Sequence, residues 1–309
     1  MKTKIFEIPE LIVFSIVDDN TIIDTIRSYY PNLKESDKNP EFYLDYESVQ
    51  HFGEFAFVQN SEILRPFRNC IYYNSVDTNS EQVIAYAPQT NQTIEHGLIR
   101  ENNNIKIFSE EINGKVFLRT IRELILRKHI EKGYFPLHAS STVFANKAIL
   151  QFGPKRSGKS TALFKQTTVD KFLLMSNDIT LVGQEKGSWN AITMPYDLTF
   201  DSSLFNEKKP QKVRFTPEEF GKKYGVQWCN KGVIGNISFL TLEKEKKYTE
   251  VLISKDNLLD KLINYGKDSH FSFDDYLCLN NIFPTFKYEE LSSSFEAKHI
   301  SGNVFEKKR

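Results

Sequence analysis

The stretch Gly153-Pro-Lys-Arg-Ser-Gly158-Lys159-Ser160-Thr161 carries the spacing G-x-x-x-x-G-K-S, and its residue types suit the holding of phosphate. Glycine at both ends lets the backbone curl so that successive N–H groups point inward. A helix starting near Lys159 adds its positive end to the same cradle. The Lys159 ammonium can reach the outer phosphates, and the Ser160 hydroxyl is a hard oxygen ligand for magnesium. Pro154, Lys155, Arg156, Ser157 and Thr161 complete the expected phosphate-binding set. Lys155 and Arg156 either grip phosphate oxygens or form a solvated loop tip. The bland alternative is a Gly/Ser turn that binds nothing. Context argues against it, because the apolar run Ala148–Phe152 ends at Gly153 and a helix-compatible run, Ser160–Gln166, follows.

A phosphate loop of this kind needs a carboxylate for its metal. Asp178 is the candidate: Phe172–Met175 reads as an apolar strand, and Ser176-Asn177-Asp178 follows its C-terminal end, where ligands gather in open α/β sheets. The competing reading is an Asp that merely starts a turn. His138 closes the strand-like Phe135–His138 and is followed by the small residues Ala139-Ser140-Ser141. A lone histidine is more often structural than catalytic, so its own context decides nothing.

Those residues need a scaffold. Residues 1–113 are rich in β-branched and aromatic residues broken by turn clusters. Strands are expected at Lys4–Ile8, Leu11–Val17, Phe42–Tyr46, Phe55–Gln59, Asn69–Tyr73, Gln82–Tyr86, Thr93–Ile99 and Ile105–Phe108. A helix is expected over Asn20–Tyr30, and Asn113-Gly114 reads as a turn. From Lys115 an amphipathic helix runs to about Lys132 and stops at Gly133. Then come Phe135–His138, Ser141–Phe144, Ala148–Phe152, the loop and its helix, Phe172–Met175 and Ile179–Val182. Pro210 and Pro217 mark loops. Ile237–Leu242 and Thr249–Ser254 read as late strands, with helices over Leu258–Tyr265 and Phe273–Asn281.

Composition excludes several classes. Forty basic and forty acidic residues cancel in a chain of 309, so no global field favours nucleic acid or an anionic membrane. Cys70, Cys229 and Cys278 lie far apart and suggest free thiols rather than disulfides or a zinc site. The first ten residues carry acids and a proline where a signal peptide needs an apolar run, and no apolar run approaches eighteen residues. A cytoplasmic protein with no membrane partner is expected.

Leu137–Leu163 together with Leu173–Leu181 resembles the HPr kinase/phosphorylase group of phosphoenolpyruvate-carboxykinase-like P-loop proteins, especially a divergent branch that includes peptide-tailoring kinases. The shared pattern is a strand, His-small-small, a strand, the glycine-rich loop ending G-K-S, a helix, a strand and an acidic pair. The likeness extends plausibly through Met194-Pro-Tyr-Asp197 and is absent from the N-terminal lobe. It implies an α/β fold, with an HPr-kinase-like nucleotide-binding domain over 114–309 and a mainly antiparallel β (α+β) lobe over 1–113. It further implies that ATP and Mg²⁺ are used, that Gly153–Thr161 bind the nucleotide phosphates, that Ser160 and Asp178 hold the metal, and that His138 sits beside the transferred phosphoryl. Lys159, His138 and Asp178 are then the catalytic set.

Two departures stand out. The acidic pair is Asn177-Asp178 here, so one carboxylate is replaced by an amide with negligible basicity. The proline- and arginine-rich signature of true HPr kinases is missing, which counts against HPr as substrate. The expected activity is an ATP-dependent kinase acting on a hydroxyl of a peptide or small molecule. The alternative is a catalytically weak nucleotide-binding accessory protein that recruits a partner, in a peptide natural-product setting. A metabolic carboxykinase ranks third. True HPr kinases form rings of subunits; no feature of this sequence demands a homo-oligomer.

Overall fold

Short strands dominate the chain because β-branched and aromatic residues recur between turn clusters. The computed structural model describes residues 2–49, 61–67, 70–75, 81–86, 94–205, 211–243, 246–265 and 286–303. These divide into two compact units: residues 2–27 with the described part of 32–125, and residues 28–31 with the described part of 126–309. The strands expected at Phe55–Gln59 and the helix at Phe273–Asn281 lie outside the described residues.

In the first unit, β1 (Thr3–Ile8), β2 (Ile12–Val17), β3 (Lys34–Glu35), β4 (Phe42–Ser48), β5 (Ser61–Phe67), β6 (Cys70–Ser75), β7 (Glu81–Tyr86), β8 (Ile94–Glu101) and β9 (Asn104–Ser109) form one sheet. Its order is β3-β1-β2-β4-β9-β8-β7-β6-β5. All neighbours are antiparallel except β2–β4 and β4–β9. Helix α1 (Asn20–Tyr29) buries Ile22, Ile23 and Ile26 along one stripe, as the spacing predicts.

Helix α2 (Gly114–Glu131) begins inside the pair read as a turn. Asn113 supplies the start, because its Oδ1 accepts from the Lys115 N–H at 3.0 Å. Gly114 then sits so close to α1 that a Cβ would lie 2.4 Å from Thr25 Oγ1.

The second unit is built on β10 (Phe135–His138), β11 (Ser140–Phe144), β12 (Lys147–Phe152), helix α3 (Lys159–Thr168), β13 (Leu173–Ser176), β14 (Ile179–Glu185) and β15 (Ser188–Met194). There follow a hairpin of β16 (Leu198–Asp201) and β17 (Lys212–Phe215), helix α4 (Pro217–Tyr224), β18 (Lys231–Leu242), β19 (Thr249–Ile253), α5 (Lys255–Tyr265), α6 (Phe286–Ser294) and β20 (Ala297–Gly302). The main sheet runs β10-β14-β15-β18-β12-β11-β13, with β20 on β18 and β19 beyond it. The chain is thus a mixed α/β protein with several sheets.

Side chains alternate across this sheet. Met175 packs in the layer that includes Leu258 and Leu262 of α5 and Leu291 of α6. Leu174 points the other way, into a cluster of Leu163, Leu198, Phe200 and Phe220 that binds α3 to the hairpin and α4. Pro217, read from the sequence as a loop marker, opens α4 instead. A proline ring costs nothing at the first helical position, and Thr216 and Glu219 close a reciprocal capping box around it. The two late strands, β18 and β19, are separated in the sheet by β20.

One buried group in the first unit makes stability depend on pH. His96 on β8 is 6 % exposed, and its Nδ1 has no hydrogen-bond partner among the described residues. Burial, reinforced by the positive charge of Arg119, pushes its pKa from the ordinary 6.5 down to about 3. The unfolded chain therefore binds a proton that the folded chain refuses, and stability is lost as pH falls from 6.5 toward 3. At pH 5 the loss from this group is about 2 kcal/mol. Denaturant unfolding of wild type and His96→Leu at pH 7 and pH 5 should show a steeper decline in wild type by that amount.

Candidate phosphate-binding site

Strand β12 is the floor of the site. Its apolar residues Ala148, Leu150 and Phe152 are fully buried, and Phe152 stacks on Phe239 of β18 with centroids 5.3 Å apart. The two strands run parallel in register from Lys147↔Val233 to Phe152↔Phe239. Strand β18 then continues to Leu242 and backs the loop that leaves β12: the Leu242 N–H donates to the Ser157 carbonyl at 2.8 Å.

That backing explains both motif glycines. Gly153 has φ 149°, and a Cβ there would meet Ser157 Oγ at 2.5 Å and the Leu240 carbonyl at 2.7 Å. Gly158 has φ 95°, and its Cβ would strike Leu242 Cβ at 2.5 Å. Between them the Ser157 N–H closes a turn onto the Pro154 carbonyl at 3.1 Å. Pro154, Lys155 and Arg156 form an exposed tip, and Arg156 holds a left-handed φ of 70°.

Helix α3 starts directly behind Gly158. Its first helical bond is Ala162 N–H to the Gly158 carbonyl at 2.9 Å, and no side chain caps it. The N–H groups of Gly158, Lys159, Ser160 and Thr161 therefore have no acceptor within the helix, which is the usual state of an anion-accepting N-terminus. The Lys159 Nζ folds back over the loop and donates to the Gly153 carbonyl at 2.7 Å and the Pro154 carbonyl at 3.4 Å. A second, independent polar group lies within the curl. Ser157 is 6 % exposed, and its Oγ has no hydrogen-bond partner among the described residues. A buried hydroxyl without a partner is costly unless a ligand completes it.

The other expected residues lie at the same end of the sheet. Ser141 of β11 pairs with Leu150 on one side and with Ser176 on the other. Strands β12 and β13 therefore point the same way, with Ser176 level with Leu150 and two strand spacings, about 10 Å, from it. Beyond Ser176 the chain turns through Asn177-Asp178 into β14, and the Ser176 hydroxyl donates to the Ile179 carbonyl across that turn. His138, the last residue of β10, pairs with Ile179. This register brings its Nδ1 to 3.3 Å from Asp178 Oδ1. His138 and Asp178 form one pair, and the loop from Gly153 to Thr161 opens at the same sheet end.

The donor set suits a hard cation. The Ser160 hydroxyl and Asp178 carboxylate are oxygen ligands of the sort magnesium accepts beside phosphate oxygens and water. Among the described residues, no group of three or more His, Cys, Asp or Glu could hold a metal by itself. A cation here would depend on the nucleotide for much of its coordination.

Two neighbours escaped the sequence reading as site residues. The Asn177 Nδ2 donates to the Asp197 carbonyl at 2.8 Å, and the Tyr29 hydroxyl donates to Asp197 Oδ1 at 2.5 Å. The only sequence signal for Asp197 is its place after Pro195-Tyr196, where the family likeness fades.

No protein-family model matches the chain, and no curated protein matches it. Among solved structures it is similar to the Hpr(Ser) kinase/phosphatase from Coxiella burnetii, at 11% identity and a TM-score of 0.29, over 55% of this chain and 86% of that one. So slight a likeness assigns neither fold nor function. Among the described residues, no helix is long and apolar enough to cross a membrane.

The crowding at Gly158 yields a direct expectation. Gly158→Ala must either move Leu242 or abandon φ 95°, and should destabilise the protein by about 1–3 kcal/mol. Thermal unfolding with and without Leu242→Ala would check the cause, since the second substitution makes room and should recover part of the loss.

Proposed function

We propose that this chain is a phosphotransferase that uses ATP and Mg²⁺ to phosphorylate a hydroxyl, of serine or threonine in a peptide or of a small molecule. The observation that carries this reading is the uncapped start of α3 inside a loop bent at Gly153 and Gly158, with the Lys159 ammonium above it and the unpartnered Ser157 hydroxyl within it. The N–H groups of Lys159, Ser160 and Thr161 would bind phosphate oxygens, and Lys159 would exchange its loop carbonyls for them. Bound magnesium, held by Ser160 and Asp178, would offset phosphate charge. His138, whose Nδ1 lies 3.3 Å from Asp178 Oδ1, would stand beside the transferred phosphoryl. Catalysis by these groups is mostly positioning and charge neutralisation.

Asn177 keeps a second reading in view, that of a nucleotide-binding accessory protein with little turnover. Its amide is engaged with a backbone carbonyl and offers no base.

Calorimetric titration with ATP·Mg²⁺ separates the two when turnover is measured alongside. Lys159→Ala removes a charge-assisted contact worth about 1.5–3 kcal/mol and should weaken binding by roughly 10- to 100-fold. If that variant binds as well as wild type, the loop assignment fails. His138→Ala should keep the affinity and lose phosphoryl transfer; unchanged transfer would return His138 to a structural role. Tight binding by wild type with no transfer would leave the accessory reading.

A further inference from the structure

The Asn177 side chain is used in a way that an aspartate could not be. A backbone carbonyl only accepts hydrogen bonds, so the contact with Asp197 fixes Nδ2 as the atom facing it. A carboxylate at this position would set lone pairs against lone pairs. The other amide atom, Oδ1, is buried and has no partner among the described residues.

The contact is one part of a local anchor. Met194, the last residue of β15, pairs with Ile179, and the Ser176 hydroxyl reaches its carbonyl at 3.4 Å. The segment Pro195–Asp197 therefore departs from the sheet end where His138 and Asp178 meet. Asn177 then holds the far end of that short segment against its own turn. Asp197 itself is exposed, and one carboxylate oxygen is aimed by the Tyr29 hydroxyl. The second oxygen, Oδ2, is the candidate acceptor for an incoming hydroxyl.

We propose that Asn177 is a positioning residue that clamps the Asp197 segment to the Asn177–Asp178 turn, and that Asp197 is the base for the attacking hydroxyl, an assignment that rests on the phosphotransferase reading above. As the acceptor oxygen bonds to the γ-phosphorus, the bond from that phosphorus to its bridging oxygen breaks and the nucleoside diphosphate leaves. The hydroxyl proton passes to Asp197 Oδ2. The carboxylate thus comes from a residue 20 positions beyond Asn177 in the chain.

The test measures phosphate release from ATP·Mg²⁺ and radiolabel transfer to a random pool of serine- and threonine-containing peptides and to a panel of small alcohols, with nucleotide affinity determined by calorimetry. Asp197→Asn keeps the shape and the Tyr29 contact but removes basicity, so kcat should fall about 100-fold or more while affinity stays within about twofold. Asp197→Glu should recover part of the rate. Asn177→Asp, which sets a second carboxylate beside Asp178, should lower turnover by about tenfold rather than raise it, because it breaks the clamp. Full turnover in Asp197→Asn, or a gain in Asn177→Asp, overturns the assignment and leaves the kinase reading intact. Wild type that binds ATP·Mg²⁺ yet transfers phosphoryl to neither water, nor peptides, nor the panel of small alcohols overturns both.

Discussion

The site depends on one strand outrunning its neighbour. Strands β12 and β18 pair in parallel as far as Phe152 and Phe239, and β18 alone goes on to Leu242. The overhang forms a wall with a backbone donor for the Ser157 carbonyl and a leucine side chain against Gly158. A loop leaving β12 must therefore bend sharply away, and only residues without a Cβ fit at the two tightest points. β18 can serve as a wall because it is held on both edges, by β12 on one side and by β15 and then β20 on the other. Even α5 and α6, which cover one face of the sheet, contribute to the stiffness of this wall through the layer around Ile237 and Phe239.

The opposite face serves a different purpose. Helix α3 is clamped at its C-terminal end, where Lys165 and Asp170 meet at 2.6 Å, and along its flank by Phe164 against Phe200, Phe205, Phe220 and Tyr224. Burial of such rings contributes about 2–3 kcal/mol each. A helix fixed by that much contact cannot retreat when charge gathers at its start. Its first turn, with N–H groups that no side chain caps, is therefore held in place in a protein whose total charge is zero.

The parts of the site legible in the sequence were those written in contiguous residues. Ala148–Phe152 announces a buried strand, Gly153–Ser160 a loop and Phe135–His138 a strand end, each through local apolar and glycine patterning. The fold around them was harder to read where meaning depends on partners. Ala297–Gly302, with Lys298, His299 and Ser301 among its residues, does not look like a strand, yet it pairs on both edges. The first half of β18 contains Gly232 and Gly235, which weaken any strand signal; Gly235 stands where a Cβ would lie 2.7 Å from Lys147 Cβ. Pro217 was misleading because its effect reverses between a helix interior and a helix start. Asp197 could not have been found from spacing, since the β14–β15 pairing at Met194 and a side-chain bond from Asn177 bring it to the turn.

The resting position of Lys159 has a thermodynamic consequence. Its ammonium is already hydrogen-bonded to two loop carbonyls, so the lysine is locally compensated rather than a bare cation. Any incoming anion must outcompete those carbonyls and shed its own water as well. A singly charged, loosely hydrated ion gains too little from the exchange, whereas a polyphosphate can release the lysine while filling the N–H groups of α3 in the same step. In the phosphotransferase reading, the self-contact would act as a threshold on charge density that favours a polyphosphate over simple anions.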